Sequence, residues 1–526
     1  MAFDPYAYLE ANASALDLRI PSSSREAVAT NLRRLEALAR DVLACDIPDV
    51  ALHEVVRSRE REAFAAEIDA GSTVAAKNPL DADASGYDIA TAVRSGAVSA
   101  SEVIEATFAR IAARNSAINA FTAVAEARAR ERARRVDQQR RSGESPGELA
   151  GVPFAVKAMI DVEGLVTTAG SALYRDAAPA ARGAAAVRAL EAAGAICVGA
   201  LNMDEFGMGG TTENACFGPT RNPHDLKRTP GGSSGGCAAA VAAGLVPLAI
   251  GSDALGSIRL PASLCGVFGL RPTRGVISSQ GVLGAEGSIS TLGPFARSSG
   301  DIGLCLRAWQ IRGSSTPSTG RPIRLATAGG YFRERLDADA AEAVALVKEA
   351  LGIAREIEFP EPRRARAAAT LVNATESAEG KLNAMRTRLS DFDPATRDRF
   401  LAHALLPAQW YLQAQRFRRW HITQVLRMFD EIDIVVVPAT PCTAPPIGTP
   451  TLNIAGSEIP TGPALGWFTQ PLAGTDCPAL TVPIARAGRL PIGVQLFGPP
   501  NSEFLLLRVA SRLEALGVVR ATVARQ

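Results

Sequence analysis

The chain has 526 residues, enough for about three to four domains or for one large α/β domain with an appendage. Its 56 basic and 54 acidic residues give a net charge of +2, so no strong basic field favours nucleic acid as a partner. Hydrophobic residues make up 47% and charged residues 21%, which excludes disorder over most of the chain.

Neither the N-terminus nor the apolar runs suggest secretion or a membrane partner. The first ten residues contain Asp4 and Glu10 and no basic residue, unlike a signal peptide. The most apolar run, 237–251, is shorter than the roughly 20 residues that span a bilayer. The eight cysteines occur singly, without a CxxC or a Cys/His cluster, which favours reduced thiols over disulfides or a zinc site. We therefore expect a cytoplasmic protein that needs no metal.

Residues 1–62 predict a small helical domain. Pro21 and the serines at 22–24 open its second helix. Apolar residues then recur at three- and four-residue steps, at Val28, Leu32, Leu35, Ala39 and Val42. Because two helices cannot bury such a face by themselves, we expect it to lie against the rest of the chain or against a second subunit.

Residues 63–87 predict a linker, since they contain turn formers such as Asn78, Pro79 and Gly86. Residues 88–526 predict an α/β domain whose first clear helix follows the capping-box pattern of Ser99 and Glu102. Short apolar runs predict strands at 152–156, 195–199, 246–251, 322–328, 432–438 and 490–497, with long helices near 335–355 and 396–430. This alternation indicates a sheet covered by helices on both faces.

Three segments of this domain carry side chains suited to catalysis, and the first is glycine-rich. Residues 229–237 read Thr-Pro-Gly-Gly-Ser-Ser-Gly-Gly-Cys and lead into an Ala/Val-rich helix. Glycines on both sides of Ser233 and Ser234 allow close backbone approach. A flexible linker is one alternative. A nucleophile elbow is another, but it needs a preceding strand and a histidine partner, and only His403 and His421 lie downstream.

The second segment is a turn after the apolar strand near residue 250. Residues 251–261 read Gly-Ser-Asp-Ala-Leu-Gly-Ser-Ile-Arg-Leu-Pro. A turn of small residues brings backbone N–H groups together, as an oxyanion requires, and Ser257 stands at its end as a candidate nucleophile. Asp253 and Arg259 are placed to form an ion pair that braces the turn. The alternative is an ordinary strand-to-loop turn with a surface serine.

The third segment is an apolar strand that ends at Lys157. Only five of the 56 basic residues are lysines. Arginine keeps its proton in proteins, whereas a buried lysine can lose it, so a lysine in an apolar strand suggests a proton acceptor. The alternative is an edge lysine whose charged end reaches solvent.

Together these segments resemble the amidase signature family. The family shows a lysine, a Gly-Gly-Ser-Ser-Gly-Gly run and a Gly-x-Asp-x-x-Gly-Ser-Ile-Arg turn in this order, with the interval found here between Ser233 and Ser257. The resemblance extends from about residue 88 to the C-terminus. It includes Asn-Met-Asp-Glu-Phe at 202–206, Gly-Pro-Thr-Arg-Asn-Pro at 218–223, Phe-Gly-Leu-Arg-Pro-Thr at 268–273 and Leu-Pro-Ile-Gly-Val-Gln at 490–495.

The resemblance implies the amidase signature fold, a mixed β-sheet covered by helices, and a Ser-cisSer-Lys triad. In it Ser257 is the acylated nucleophile, Ser233 in a cis peptide bond relays the proton, and Lys157 is the base. Four backbone N–H groups form the oxyanion hole, those of Ala254, Leu255, Gly256 and Ser257. Three side chains support the triad: Ser234, Asp253 and Arg259. The resemblance implies no cofactor and favours a homodimer.

Two departures from the family pattern concern the pocket and leave the triad intact. Leu255-Gly256 replaces two glycines ahead of the nucleophile, so the leucine side chain is expected to narrow the acyl pocket. Ser288-Ile289-Ser290 replaces a Ser-Leu-Asp. The runs at 202–206 and 211–224 are most similar to the biuret and carboxybiuret hydrolase branch, and residues 1–62 resemble the small helical partner subunit of those enzymes and of the amidotransferases.

The function expected is hydrolysis of a carbon–nitrogen bond in a small amide or urea-like substrate, and the narrower expectation is a substrate of biuret type. The reaction is expected to pass through a serine acyl-enzyme and to release ammonia or an amine. Two alternatives stay open. One is the glutaminase (A-type) subunit of a tRNA-dependent amidotransferase. The other is a binding or scaffold protein on an inactive amidase fold.

Overall fold

A computed structural model describes residues 3–45, 47, 77–284, 287–313 and 321–524. The helices are α1 (Pro5–Ala15), α2 (Arg25–Leu43), α3 (Gly86–Ser95), α4 (Ala100–Ile118), α5 (Glu126–Arg141), α6 (Ala185–Ala192), α7 (Gly235–Ala242), α8 (Arg259–Cys265), α9 (Ser299–Ala308), α10 (Ala338–Ala350), α11 (Pro362–Glu379), α12 (Leu382–Thr387), α13 (Pro394–Ala404), α14 (Ala408–Met428), α15 (Thr461–Leu465), α16 (Gln470–Ala473) and α17 (Glu503–Ala515). The strands are β1 (Phe121–Val124), β2 (Pro153–Lys157), β3 (Ile196–Leu201), β4 (Glu213–Asn214), β5 (Gly218–Pro219), β6 (Leu248–Asp253), β7 (Phe268–Arg271), β8 (Thr291–Ala296), β9 (Leu325–Ala328), β10 (Glu356–Ile357), β11 (Ile434–Pro438), β12 (Thr451–Ile454), β13 (Ser457–Pro460), β14 (Ala479–Pro483) and β15 (Gly493–Phe497).

A single 11-stranded sheet organises the large domain. Its order is β1-β3-β2-β6-β8-β7-β14-β15-β11-β9-β10. The pairs β3–β2, β2–β6, β11–β9 and β9–β10 are parallel, and the pairs from β6 through β8, β7, β14 and β15 to β11 are antiparallel. Every residue of β2, β3, β6, β8, β11, β14 and β15 is buried. Strands buried at successive positions are covered on both faces, so the predicted mixed sheet between helices is confirmed.

The six predicted strands are confirmed as β2, β3, β6, β9, β11 and β15. The helix predicted over 396–430 was wrong as a single element. It is two helices, α13 and α14, with Pro407 at the N-cap of the second. Proline has no backbone N–H and disfavours a helical conformation in the residue before it, so the helix ends there and begins again.

The first two helices dock on the large domain. The predicted apolar face of α2 is buried, with Leu32 at 0% and Leu35 at 5% exposure, in one cluster with α11, α13 and α14. Polar contacts hold the same seam. The Tyr8 hydroxyl donates to the carbonyl of Leu405 at 2.9 Å, and Arg386 Nε donates to the carbonyl of Leu16 at 2.9 Å. The two helices therefore share a core with the domain they lie on.

The predicted domain end at residue 62 and most of the predicted linker lie outside the described residues. The linker prediction extends too far at its other end, because α3 begins at Gly86. Ser85 and Asp88 form a reciprocal capping box there, so the serine marks a helix start rather than a flexible turn. Within the described part of the chain, no helix combines the length and the apolar character needed to cross a bilayer.

Candidate active site

Parallel pairing of three strands brings the candidate residues to one edge of the sheet. Lys157 is the last residue of β2 and lies beside Leu201 at the end of β3. On the other side, β2 pairs in parallel with β6, which ends at Ser252 and Asp253. The carboxyl ends of parallel strands face the same side of a sheet, and ligands commonly bind outside such ends. This register brings residues that are far apart in the sequence close together in space.

The Lys157 ammonium group is fully buried and contacts two hydroxyl groups. Its Nζ donates to Ser233 Oγ at 2.7 Å and to Ser252 Oγ at 2.9 Å. The Ser252 hydroxyl donates in turn to Met159 Sδ at 3.2 Å. Because the Ser252 proton points to sulfur, its oxygen lone pairs face the lysine and orient the amine toward Ser233.

Burial changes the proton affinity of this lysine. Removal from water lowers the pKa of Lys157 to about 8, although the nearby carboxylates of Asp204 and Asp253 act to raise it. A lysine with this pKa is partly in its free-amine form close to neutral pH. The side chain is thus able to accept a proton, as the sequence suggested.

Ser233 follows Gly232 through a cis peptide bond and is 1% exposed. The next residue, Ser234, caps the wholly buried helix α7 and ties two segments together. Its backbone N–H donates to the Ser257 carbonyl at 3.3 Å, and its hydroxyl donates to the Ser252 carbonyl at 3.1 Å. The glycine-rich run is therefore a packed structural segment, and the flexible-linker alternative is wrong.

Ser257 lies in the turn between β6 and α8. At 9% exposure it is the most accessible of the three expected triad residues. The N–H groups of Ala254, Leu255 and Ser257 make no hydrogen bond with any described residue. The Gly256 N–H, by contrast, donates to Asp253 Oδ1 at 2.8 Å. Of the four N–H groups expected to form the oxyanion hole, three therefore have no acceptor among the described residues and one, that of Gly256, does.

A buried ion pair holds this turn. Arg259 Nε and Nη2 donate to Asp253 at 2.9 and 3.0 Å, and the Ile258 N–H donates to the same carboxylate at 3.1 Å. Arg271 Nε lies 3.7 Å from Asp253. Burial alone would raise the pKa of the Asp253 carboxyl, but the attraction of Arg259 and Arg271 and these hydrogen bonds outweigh it and hold the pKa at about 2. The predicted Asp253–Arg259 pair is confirmed.

Two glycines allow the backbone to come close to these groups. Gly256 has φ +134°, and a Cβ there would overlap Thr469, whose Oγ1 donates to the Leu255 carbonyl at 2.8 Å. Gly207 has φ +74°, and a Cβ there would lie 3.4 Å from Ser233 Oγ and 3.9 Å from Lys157 Nζ. The backbone at Gly207 therefore lies close to the lysine and the serine.

Asp204 is a second buried carboxylate beside the site. Its Oδ1 accepts the Thr212 N–H at 2.9 Å, while its Oδ2 is buried without a hydrogen-bond partner among the described residues. Burial raises the pKa of Asp204 to about 6, against the hydrogen bond from Thr212 and the attraction of Lys157 and Arg399. Its backbone N–H donates to the Ser233 carbonyl at 3.3 Å, which connects the 202–206 segment to the glycine-rich run.

Sequence reasoning located Lys157, Ser233 and Ser257 but missed Ser252 and Thr469. Ser252 stands directly before Asp253, so its closeness to Lys157 follows from the β2–β6 register alone. Thr469 lies more than 200 residues along the chain from the turn it braces. No local signal in the sequence indicates Thr469 as a partner of the turn. A hydroxyl partner for the buried Lys157, which Ser252 supplies, was by contrast foreseeable.

The two departures from the family pattern occupy different surroundings. The Leu255 side chain packs against the apolar cluster that includes α2. The Ser288 N–H and hydroxyl donate to the Glu376 carboxylate at 2.7 and 2.6 Å, so this segment is anchored to α11. Trp467 and Phe468, two aromatic residues close to Thr469, are 7% and 0% exposed and belong to an apolar core.

A family model, curated relatives and solved structures each match most of this chain. The family model described as Amidase matches residues 102–507. AtzE of Pseudomonas sp. (strain ADP), named as part of 1-carboxybiuret hydrolase, is 42% identical over 450 residues, 82% of this chain and 98% of the relative. The A-type component of glutamyl-tRNA(Gln) amidotransferase from Carboxydothermus hydrogenoformans is 33% identical over 476 residues, 82% and 96% of the two chains. The solved structure called "An unexpected vestigial protein complex reveals the evolutionary origins of an s-triazine catabolic enzyme" has a TM-score of 0.80 and 41% identity, and covers 83% of this chain and 100% of its own.

The Asp253 pair generates a prediction about stability. Asp253→Asn leaves Arg259 and Arg271 without their buried counter-charge, so the free energy of unfolding is expected to fall by about 3–5 kcal/mol in denaturant titrations. Because the folded-state pKa is depressed to about 2, the carboxylate stabilises above its unfolded pKa of about 3.9. The difference between wild type and variant should therefore be full at neutral pH and shrink as the pH falls from about 4 toward about 2.

Asp83→Asn is the matched control, since Asp83 forms an exposed ion pair with Lys77 at 3.0 Å. Its loss should change the free energy of unfolding by no more than about 1 kcal/mol. Equal effects of the two substitutions would show that Asp253 does not brace the turn.

Proposed function

This chain belongs to the amidase family and hydrolyses carbon–nitrogen bonds other than peptide bonds, and we propose that its substrate is a small amide or urea-like compound of biuret type. The observation that carries the mechanism is the 2.7 Å contact between the buried Lys157 Nζ and Ser233 Oγ. The next residue, Ser234, is hydrogen-bonded through its backbone N–H to the Ser257 carbonyl. The relative named as part of a 1-carboxybiuret hydrolase supports the substrate class.

In the proposed reaction, Ser257 Oγ attacks the carbonyl carbon of the substrate. A hydroxyl is a weak nucleophile until its proton is removed. Ser233 Oγ takes that proton while giving its own to the free amine of Lys157. Collapse of the tetrahedral intermediate breaks the carbon–nitrogen bond, and the proton returns through Ser233 to the leaving ammonia or amine. Water then attacks the acyl carbon and gives a proton through Ser233 to Lys157. The ester bond to Ser257 Oγ breaks, and the proton returns through Ser233 to regenerate the Ser257 hydroxyl.

The N–H groups of Ala254, Leu255 and Ser257 are proposed as donors to the oxyanion, since no described residue accepts them. Donors that are already fixed in place stabilise developing charge without reorganisation. Asp253 fixes the turn that presents them, and it does so partly by occupying the Gly256 N–H. Gly256 therefore contributes shape to the oxyanion hole rather than a donor.

We propose further that residues 1–62 form a fused counterpart of a small partner subunit, and that the enzyme is a cytoplasmic homodimer. The buried seam between α2 and the large domain supports the first part. Size-exclusion chromatography with light scattering tests the dimer. The A-type component of an amidotransferase is the second candidate, because relatives of that name cover most of this chain.

Ammonia release separates these candidates. Purified protein should release ammonia from biuret or another member of a panel of amides and ureas, without tRNA, ATP or a second protein. Ser257→Ala should abolish release, and a serine-directed phosphonate should label Ser257 alone. Strict dependence on tRNA and ATP would favour the amidotransferase candidate. Labelling at Ser233 or Ser234 would contradict the assigned nucleophile, and no labelling with no turnover would favour an inactive fold.

The proposed base has a distinctive test. Lys157→Arg keeps a positive charge but cannot supply a free amine, so kcat/KM should fall by about 10²–10⁴-fold, as for Lys157→Ala. In the wild type, kcat/KM should rise as the pH passes about 8 and then hold, since the free amine is the active form. The midpoint belongs to the coupled Lys–Ser network. Substantial activity in Lys157→Arg, or a fall in kcat/KM above this pH, would identify the lysine as a fixed cation instead.

Ser252 orients the base, which predicts a change in the pH profile. Ser252→Ala removes one acceptor from Lys157 Nζ. The ammonium form loses more from this change than the amine, so the pKa of Lys157 should drop further and the rise in kcat/KM should move to lower pH. The plateau should fall about tenfold as the amine loses its anchor.

Ser263→Ala is the matched control. Ser263 is also buried, hydrogen-bonded to Thr440 at 2.9 Å, but it does not touch Lys157. This variant should leave the midpoint of the profile in place. An unchanged midpoint in Ser252→Ala would mean that Ser252 has no influence on the lysine.

A further inference from the structure

The lysine of the proposed triad has two hydroxyl partners, and only one of them belongs to the proton relay. Lys157 Nζ lies 2.7 Å from Ser233 Oγ and 2.9 Å from Ser252 Oγ. A free amine has a single lone pair, and the relay needs that lone pair to face the Ser233 hydroxyl. The Ser252 hydroxyl would compete for the lone pair unless its own proton is held elsewhere.

Met159 is placed to hold that proton. Ser252 Oγ lies 3.2 Å from Met159 Sδ, within hydrogen-bond distance of the sulfur. Among the residues that the structure describes, the Ser252 hydroxyl has hydrogen-bond contacts with this sulfur and with Lys157 Nζ only. The Ser252 proton therefore has two destinations, the methionine sulfur or the lysine lone pair.

A tight turn after β2 brings the methionine back beside the lysine. The Ile160 N–H donates to the Lys157 carbonyl at 2.9 Å, so the chain turns directly after the strand. The Met159 carbonyl accepts the Leu283 N–H at 2.8 Å. Met159 is 4% exposed and Ser252 is 6% exposed. The contact between sulfur and hydroxyl is thus shielded from water, and hydrogen-bonded backbone holds the methionine in place.

The chemistry of a thioether suits this role. Methionine sulfur is a weak hydrogen-bond acceptor and has no proton to donate. A hydroxyl or an amide in its place could donate to Ser252 Oγ and compete with the lysine N–H. A carboxylate would hold the proton on the lysine and raise its pKa. A thioether accepts the Ser252 proton without either effect.

The network has two proton arrangements when Lys157 is a free amine. In the first, Ser233 donates to the lysine lone pair, a lysine N–H donates to Ser252, and the Ser252 hydroxyl donates to the methionine sulfur. In the second, Ser252 donates to the lone pair and a lysine N–H donates to Ser233. Only the first arrangement lets Ser233 pass its proton to the lysine while it receives the proton of Ser257.

We propose that Met159 is a positioning residue that sets the direction of the proton relay by accepting the proton of Ser252. This inference rests on the proposed function and deepens it, because it identifies what keeps the base available to Ser233. When Ser257 attacks, one proton moves from Ser257 to Ser233 and another moves from Ser233 to Lys157. The Ser252 proton stays on its own oxygen throughout, and the new ammonium group donates to both hydroxyl oxygens.

The titratable groups that face Lys157 from other described elements keep a constant charge where the lysine titrates. They are Cys237 on α7, Asp204 after β3 and Asp253 at the end of β6. Burial raises the pKa of the Cys237 thiol to about 12, so the thiol is neutral. Burial raises the pKa of Asp204 to about 6. Burial acts to raise the pKa of Asp253 as well, but the ion pair with Arg259 holds it at about 2. Both carboxyl groups are therefore ionised near pH 8, and a shifted lysine midpoint reports on its uncharged partners.

Met159→Leu tests the proposal, because leucine conserves the volume of the side chain and removes the acceptor. The measurement is the rate at which a fluorophosphonate labels Ser257 in the full-length protein, from about pH 6 to about pH 10. In the variant, the Ser252 proton has no acceptor beside the ammonium form and turns to the lone pair of the amine form. The rise in rate should therefore move down by about 0.5–1 pH unit, and the plateau should fall by about three- to tenfold.

A double-mutant cycle separates this role from packing. In the Ser252→Ala background there is no hydroxyl proton to hold. Adding Met159→Leu to it should leave the midpoint in place and change the plateau by less than about twofold. A methionine that only fills space would lower the rate equally in both backgrounds and would leave both midpoints unchanged.

Met385→Leu is the matched control. It makes the same substitution at a residue that is 1% exposed and whose sulfur accepts no hydrogen bond from the described residues. It should leave the rate and the midpoint as in the wild type, and thermal unfolding should show that each variant remains folded. With Ser257 labelled in the wild type, an unchanged midpoint in Met159→Leu or equal losses in the two backgrounds would overturn the proposal and leave the proposed function standing. No labelling of Ser257 in the wild type at any pH would contradict the proposed function itself, and this inference with it.

Discussion

The site depends on a fully buried lysine that is surrounded by hydroxyl groups instead of a carboxylate. Lys157 Nζ has two hydroxyl partners, Ser233 and Ser252, and no ion pair within the described chain. A direct carboxylate partner would hold the proton on the amine and raise its pKa. Hydroxyls satisfy the amine without fixing the charge, so burial is able to lower the pKa of Lys157 to about 8.

The second constraint is that Lys157 and the Asp253–Arg259 ion pair must be kept apart, although their partners are adjacent in the sequence. Ser252 faces the lysine, whereas the next residue, Asp253, accepts from Arg259 and from the turn that carries Ser257. Adjacent residues of a strand point to opposite faces, so one strand end serves both systems. The carboxylate is thereby occupied by arginine and by backbone N–H groups, which limits its pull on the lysine.

A structural feature could be predicted from the sequence where its signal is a local sequence pattern, and was missed where it depends on strand register or on distant residues. Strands such as β2 and β6 are continuous apolar runs, and their positions were predictable because burial on both faces leaves that pattern. The break at Pro407 was missed because the apolar periodicity resumes in phase after it. Ser252 was missed because its role comes from strand register and not from its own sequence context. Lys157, Ser233 and Ser257 were predicted together because the family's motifs place all three residues in a fixed order along the sequence.

The N-terminal helices tie the remaining features together. Two helices with one apolar face have no stable core of their own, so their order depends on docking against α11, α13 and α14. Covalent attachment makes that docking intramolecular, which replaces an encounter between chains by a high effective concentration. Leu255, where the family pattern has glycine, packs against the same apolar cluster that buries the face of α2. The leucine therefore adds an apolar contact to the turn that carries Ser257, whereas glycine would leave that side of the turn without one. One cluster thus stabilises both the docked helices and the turn next to the candidate nucleophile.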